Sequence, residues 1–300
     1  MSTPVTENAD TPPVLPVVMA IGGTDPTGRA GLAADIRAGE AAGVHIAPVI
    51  ATLTVQNARG LYDLKPAGPL FIRRQMIAVI EDLPVRAIKT GMLADAATLE
   101  AVVTALEQIA RPLPLVVDPV LRATPGGRAV RAASSTFRRQ LRRLCAHGCL
   151  LTPNLPEAAA LLGELPATNE RQMRAQARAL RHRYGCPVLL KGGHLPGTRP
   201  IMDVLVMETD EQVFLSPRQP EPAPRATGCT LATLVAAHLA HGKGLRDAVQ
   251  AARRHLHAAL AAPPVLGGAG PDPVRLQPAG AGPGAEMTPP HTTTADGERK

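Results

Sequence analysis

The sequence predicts an α/β fold, a mainly parallel sheet covered by helices on both faces, and three observations carry that prediction. Short uninterrupted apolar runs, such as Val17-Val18-Met19-Ala20-Ile21, Leu115-Val116-Val117 and Val188-Leu189-Leu190, read as strands buried on both sides. Each run stops at a polar or glycine turn, and segments with helical spacing of apolar residues come between the runs. Polar residues gather just after the runs, at the carboxyl ends of strands, where ligands bind in such sheets.

In chain order, residues 1–15 read as a flexible lead-in, and Val17 to Ile21 as a strand ending at Gly22-Gly23. Gly31 to Ala42, with Leu32 and Ile36 four apart and Gly43 behind it, reads as a helix with a glycine stop. Val44 to Val55 is rich in β-branched residues and gives one or two strands. Phe71 to Ile80 has helical spacing, and Ala87-Ile88-Lys89 is a short strand leading into Thr90-Gly91-Met92. Leu99, Val102, Val103, Leu106 and Ile109 make one stripe, which predicts a helix from Ala96 to Ala110. Leu115 to Val117 is a strand that ends at Asp118-Pro119. Arg131, Arg138, Arg139, Arg142 and Arg143, with Leu141 and Leu144 among them, read as an amphipathic helix with a solvated basic face. Gly148 to Leu151 leads to Thr152-Pro153-Asn154 and another helix; Gln172 to Arg183 is helical, and Val188 to Leu190 ends at Lys191-Gly192-Gly193. Val204 to Val206 and Gln212 to Leu215 are strands joined by Glu208-Thr209-Asp210, and Thr230 to Leu239 and Leu245 to Leu260 are the last helices. From Pro263 the chain is rich in glycine and proline, which predicts a disordered tail over 263–300 and one folded unit over 16–262.

Aromatic residues are only 2% of the chain and tryptophan is absent, which argues against nucleic-acid binding on stacked aromatic platforms. The net charge of +7 suits a nucleoside triphosphate as well as any polyanion. The polar, proline-rich opening has no signal-peptide core, and no stretch has the length and apolarity of a membrane span, so the cytoplasm is the expected location. Cys145 and Cys149 flank His147, but no second ligand pair follows, which favours buried thiols over a metal site.

Several segments carry candidate chemistry. Gly22 to Gly31 is a glycine-rich turn between strand and helix, without the Gly-Lys-Ser/Thr of a Walker loop, and its backbone can pass close to a ligand. Asp35, inside the first helix, is either solvated or a buried acceptor for a hydroxyl, and Gln56 carries an amide that both donates and accepts, as a ring bearing an amine requires. Asp118, Asn154 and Glu157 offer oxygens of the kind that hold Mg²⁺, although Glu157 also suits the positive end of a helix. Lys191, at a strand end, is placed to meet phosphates. Ala226-Thr227-Gly228-Cys229-Thr230 precedes a helix whose free amides form an anion site. That helix start is expected to lower the pKa of Cys229 and make its thiolate a base.

The stretches AIGGTDPTGRAGLAADIRAG, TLTVQNARG, KTGMLAD, VVDPVL, LTPNLPEAAALLG, LLKGGHLPG and ATGCTLATLVAAHLAHG run in order over about residues 17–260. In them the chain resembles the hydroxymethylpyrimidine/phosphomethylpyrimidine kinases of thiamine synthesis, members of the ribokinase-like superfamily. The resemblance implies a three-layer α/β/α fold, often dimeric, and ATP- and Mg²⁺-dependent phosphorylation of 4-amino-5-hydroxymethyl-2-methylpyrimidine and of its monophosphate. It implies that Gly23, Asp35, Gln56 and Met92 line the pyrimidine pocket, that Asp118 and Glu157 organise the metal, and that Asn154, Lys191, Thr227 and Gly228 meet the ATP phosphates. It further implies that Gly228 forms the anion hole and that Cys229 is the base. Relatives of the pyridoxal-kinase type share these motifs, and a pyrimidine-binding regulatory domain without turnover is the alternative from another class. The chain departs from the family's pattern at Arg29, where a glycine is usual, at Arg122, at Arg225-Ala226, and at Gly267-Gly268-Ala269-Gly270-Pro271. A side chain on Ala226 is a serious problem only where that position needs positive φ.

Overall fold

The computed structural model describes residues 14–109, 111–121, 134–193, 195, 200–218, 226–260, 273–274 and 276–277. The elements are β1 (Val17–Gly23), α1 (Gly31–Ala41), β2 (His45–Asn57), β3 (Gly60–Pro66), α2 (Pro69–Asp82), β4 (Val85–Thr90), α3 (Ala96–Leu106), β5 (Leu115–Val117) and α4 (Ser135–Cys145). They continue with β6 (Cys149–Leu151), α5 (Leu155–Leu162), α6 (Glu170–Tyr184), β7 (Val188–Lys191), β8 (Pro200–Val206), β9 (Glu211–Pro217), α7 (Thr227–Ala240) and α8 (Leu245–Leu260).

The strands form one sheet in the order β3-β2-β1-β4-β5-β6-β7-β8-β9. Pairing is parallel from β2 through β1, β4, β5 and β6 to β7, while β3 and β8 run antiparallel to their neighbours. Side-chain alternation sorts the central strands between two cores. Val17, Met19 and Ile21 of β1 face the core built with α2 to α6. Val18 and Ala20 face the core built with α1, α7 and α8. The sheet is thus covered on both sides, as its uninterrupted apolar runs require, and the three-layer α/β/α expectation holds. Chain order reverses at β1, so the crevice between β1 and β4 is the topological switch point. No described helix is long and apolar enough to cross a membrane.

Three sequence expectations need correction. Strand β3 has no counterpart in the sequence reading: its segment GLYDLKP alternates weakly and is mostly solvent-facing, so it carries no buried apolar run. The helix expected from Ala96 to Ala110 ends at Leu106, because Pro112 lies ahead and the chain must leave the helix before it. Ile109 still reaches the core, from the turn. The tail is packed over at least part of its length: Val274 is buried, Leu276 lies against the α7–α8 core, and the His255 ring meets the Gln277 carbonyl. Arg122, Arg131, His194, Arg225 and most of 1–15 and 263–300 lie outside the described residues. Cys145 and Cys186 are buried, and neither forms a disulfide among the described residues.

His238, near the end of α7, has both ring nitrogens buried without a hydrogen-bond partner among the described residues. Burial, helped by Lys243, His255 and His241, lowers its pKa from 6.5 to about 4. Between those two values the unfolded chain binds a proton here that the folded chain refuses. Stability therefore falls as pH drops through that window, at up to about 1.4 kcal/mol per pH unit from this group. His238→Leu is expected to remove that slope, as read from urea midpoints at several pH values.

Candidate active site

The polar groups at the carboxyl edge of the sheet form two buried clusters that meet at Cys229. The first is centred on Lys89, which is buried near the carboxyl end of β4. Its Nζ lies 2.9 Å from both oxygens of Asp35 on α1, with each side chain only 1% exposed. Thr233 on α7 donates to Asp35 Oδ1 at 2.8 Å and lies 3.0 Å from the Cys229 carbonyl, one helical turn earlier. Burial opposes the Lys89 charge, but Asp35, Cys229 and Asp118 outweigh it and raise its pKa. Asp35 is therefore buried rather than solvated, and its oxygens accept from Lys89 and Thr233.

The second cluster is Asp118, Lys191 and Glu157. Asp118 follows β5, and Lys191 closes β7; they form an ion pair at 2.8 Å. Thr152 donates to Asp118 at 3.3 Å, and the Cys229 thiol also hydrogen-bonds to it. Burial disfavours the Asp118 charge, but Lys191 and Lys89 overcome it and lower the pKa. Asn154 and Glu157 make a reciprocal capping box at the start of α5: the Asn154 side chain accepts from the Glu157 amide at 2.9 Å, and Glu157 accepts from the Asn154 amide at 2.8 Å. The same Asn154 bridges to Lys191 through the backbone. Burial raises the Glu157 carboxyl to about 7, against the pull of Lys191 and with the push of Asp118. Two buried carboxylates sharing one lysine form a set short of positive charge, which fits a divalent cation. Glu157 also accepts from backbone donors at Asn154 and Leu121, so a hard oxygen-liganded ion would meet it through water. Among the described residues no group of three or more His, Cys, Asp or Glu forms an all-protein cage, and Mg²⁺ needs none.

The start of α7 faces both clusters. Ala226, its N-cap, has φ 62° and ψ 19° and is the single non-glycine with positive φ among the described residues. No side chain caps this helix, in contrast to α3, α4, α5 and α6, so its first amides remain available to an anion. A Cβ at Gly228 would sit 3.0 Å from Lys191 Nζ, so the glycine lets the ammonium lie close beside those amides. Lys89 is seated in the same way on Gly91, at 3.0 Å from an added Cβ. Cys229 lies between the lysines. Contrary to the sequence expectation, its pKa is not lowered: burial raises the thiol to about 12, Asp118 and Asp35 add to that, and Lys89 and Lys191 only partly offset it. The helix-start effect is outweighed chiefly by burial of the thiol, with the nearby carboxylates adding to it.

The remaining predicted residues lie on the switch-point side. An added Cβ at Gly23 would be 2.6 Å from the Met92 methyl, so these two are neighbours. Gly91, next to Met92, donates to Ile21 and ties this side to Lys89. Asp25 accepts from the Thr27 and Ala30 amides and from the Thr27 hydroxyl, which folds the glycine-rich turn. Thr54 donates to the Thr24 carbonyl at 2.6 Å, strapping β2 to that turn; Gln56 follows, half-buried, just past a register shift. Arg29 is buried rather than solvent-facing. The sequence reading missed Lys89 and Thr233. The signal for Lys89 was present: a lysine inside a buried strand demands a carboxylate partner. A cavity of about 470 Å³ lined by Arg86, Arg111 and Leu239 opens at the opposite, amino edge of the sheet and holds none of these groups.

A three-layer α/β/α sheet whose carboxyl edge joins a lysine, two carboxylates and an uncapped helix start defines a ribokinase-like small-molecule kinase. The family model described as phosphomethylpyrimidine kinase matches residues 25–275. A hydroxymethylpyrimidine/phosphomethylpyrimidine kinase of Rhizobium meliloti is 36% identical over 247 residues, covering 82% of this chain and 91% of that protein. A thiamine biosynthesis bifunctional protein of Geobacter sulfurreducens is 38% identical over 257 residues, 85% of this chain, and this chain spans about half (51%) of its length. The crystal structure of a phosphomethylpyrimidine kinase from Clostridium difficile superposes with a TM-score of 0.69 at 28% identity, over 81% of this chain and 99% of that one. The chain belongs to the phosphomethylpyrimidine kinase family.

Two substitutions test the local physics. Ala226→Gly is expected to stabilise the fold by about 1 kcal/mol, the cost of a Cβ in the left-handed region, as measured by chemical denaturation. Lys89→Met strands a buried Asp35 and should destabilise by about 3–5 kcal/mol, with Asp35→Asn in the same chain restoring part of the loss.

Proposed function

We propose that this chain transfers the γ-phosphoryl group of ATP to the hydroxymethyl oxygen of 4-amino-5-hydroxymethyl-2-methylpyrimidine, and then phosphorylates the monophosphate to the diphosphate, in thiamine biosynthesis. The observation that carries the reading is the position of Lys191, whose ammonium is paired to Asp118 and seated against Gly228 at the start of α7. A phosphoryl group there would meet a fixed cation and free amides together, and phosphoryl transfer is catalysed chiefly by such positioning and charge stabilisation. Asp118 and Glu157, with Asn154 beside them, would hold Mg²⁺, which supplies neutralisation of the phosphate oxygens. Thr227 and Gly228 would donate to the transferred group. Gly23, Gln56 and Met92 would line the pyrimidine pocket with Asp35 behind them, the Gln56 amide reading a ring nitrogen and its amine. Cys229 would take the hydroxyl proton as the new O–P bond forms. To do so it must first be a thiolate: burial holds the thiol proton, and Lys89 and Lys191 are the charges that favour its release.

The assay supplies ATP and Mg²⁺ with the pyrimidine alcohol, its monophosphate or pyridoxal, and identifies products by mass. The expected outcome is pyrimidine mono- and diphosphate, with pyridoxal the poorer substrate. Pyrimidine binding without any product would point instead to a regulatory domain. Cys229→Ala should cut kcat by about 100-fold or more while substrate affinity stays within about threefold; unchanged turnover removes Cys229 as the proton acceptor.

We also propose a homodimer through the β2–β3 hairpin. Val55 is 58% exposed and Tyr62 55% exposed, and β3 is an open sheet edge, which can pair with its own copy about a two-fold axis. Sedimentation should report a dimer, and Val55→Lys should shift it to monomer.

A further inference from the structure

A buried ion pair behind Lys191 belongs to none of the roles above. Strand β8 returns antiparallel to β7 and places Asp203 opposite Lys191. Asp203 Oδ1 accepts the Gly192 amide at 2.9 Å, and Oδ2 accepts Arg253 Nε at 2.8 Å. The Asp203 and Arg253 side chains are 8% and 9% exposed. Arg253, on α8, also donates to Ser216 Oγ at 2.9 Å and lies 5.0 Å from the centre of the Phe214 ring. A Cβ at Gly192 would be 1.9 Å from the Met202 carbonyl, so the turn after Lys191 is pressed directly onto β8. Arg218 holds the other side of that turn, donating to the Gly193 carbonyl at 3.0 Å.

We propose that Asp203 and Arg253 are positioning residues for the nucleotide phosphates: they pin the Gly192 amide and thereby fix where Lys191 points. The inference rests on the reading that Lys191 meets the ATP phosphates. The Lys191 side chain leaves the backbone one residue before the pinned amide, and its Nζ has little freedom between Asp118 and Gly228. Loss of the Asp203 acceptor releases the Gly192 amide and lets Lys191 drift from the helix start. Loss of Arg253 leaves Asp203 as a buried carboxylate that must find water or protonate, which weakens its grip on the same amide. The pyrimidine side, held by Lys89, Gly91 and the glycine-rich turn, shares no hydrogen bond with this pair among the described residues.

The experiment uses the full chain and measures the Kd of a non-hydrolysable ATP analogue with Mg²⁺, the Kd of the pyrimidine alcohol, and the thermal midpoint. Asp203→Ala and Arg253→Met should each weaken nucleotide binding by about tenfold, the scale of one lost charge-assisted hydrogen bond. Pyrimidine affinity should stay within about twofold, and the double variant should bind nucleotide about as poorly as Asp203→Ala alone, because both act on one amide. A fall in thermal midpoint with nucleotide affinity unchanged would overturn the proposal and leave the pair as a stitch between α8 and the sheet, as would equal loss for both ligands. Should those variants not fold, Arg253→Lys keeps the buried charge but loses the fork geometry, and the same split between ligands decides. Lys191→Met is the control: if it leaves nucleotide affinity intact, the Lys191 reading fails, whatever the Asp203 variants do.

Discussion

The chain of alternating charge through Asp35, Lys89, Cys229, Asp118, Lys191 and Glu157 is the constraint on which the rest depends. Each ionised member is buried, and a buried charge is tolerated only beside an opposite one. Asp35 matches Lys89, and Asp118 matches Lys191. Glu157 is the member left over, and its carboxyl is accordingly pushed up toward neutrality. The thiol of Cys229 sits where the two pairs meet and stays protonated for the same reason. The cluster thus holds two balanced pairs, one surplus carboxyl and one protonated thiol.

The topology explains why these groups converge. Lys89, Asp118 and Lys191 lie at or just past the carboxyl ends of β4, β5 and β7, parallel strands whose ends share one edge of the sheet. Their partners come from helices: Asp35 from α1, Glu157 from α5, Cys229 from α7. Helices α1 and α7 cover one face and α5 the other, so the charges are clamped from both sides of the sheet. The capping box at α5 does double duty. It satisfies the helix start and aligns Glu157 with Lys191 through the Asn154 bridge.

The layers and most elements were legible in the sequence because buried parallel strands leave uninterrupted apolar runs such as LVV and VLLK. Strand β3 left no such trace, because an edge strand is stabilised by its hairpin partner rather than by a buried face. Among site residues, Asp118, Glu157, Lys191 and Cys229 stood out as polar groups directly after strands or before helices, and the fold brings them together. The partnership of Asp35 with Lys89 was not legible, since it joins a helix and a strand 54 positions apart. The Cys229 pKa went the other way from the expectation for a similar reason. A helix start is visible in the sequence; burial of the thiol, to which Asp118 and Asp35 add, is a tertiary fact that outweighs it.

Ala226 tests how far that enclosure governs the site. A left-handed alanine costs about 1 kcal/mol or more, and such strain persists only where the surroundings over-determine the backbone. Helix α7 meets that condition: Thr230 through Ala237 are all buried, and the helix packs between α1 and α8 over the sheet. Moving its first turn to relax one residue would disturb that whole face, together with the Thr233–Asp35 and Cys229–Asp118 bonds. The position of the amides before Cys229 is therefore set by the burial of the helix, and residue 226 conforms to it. The alanine is then a local energetic penalty carried by a well-packed helix.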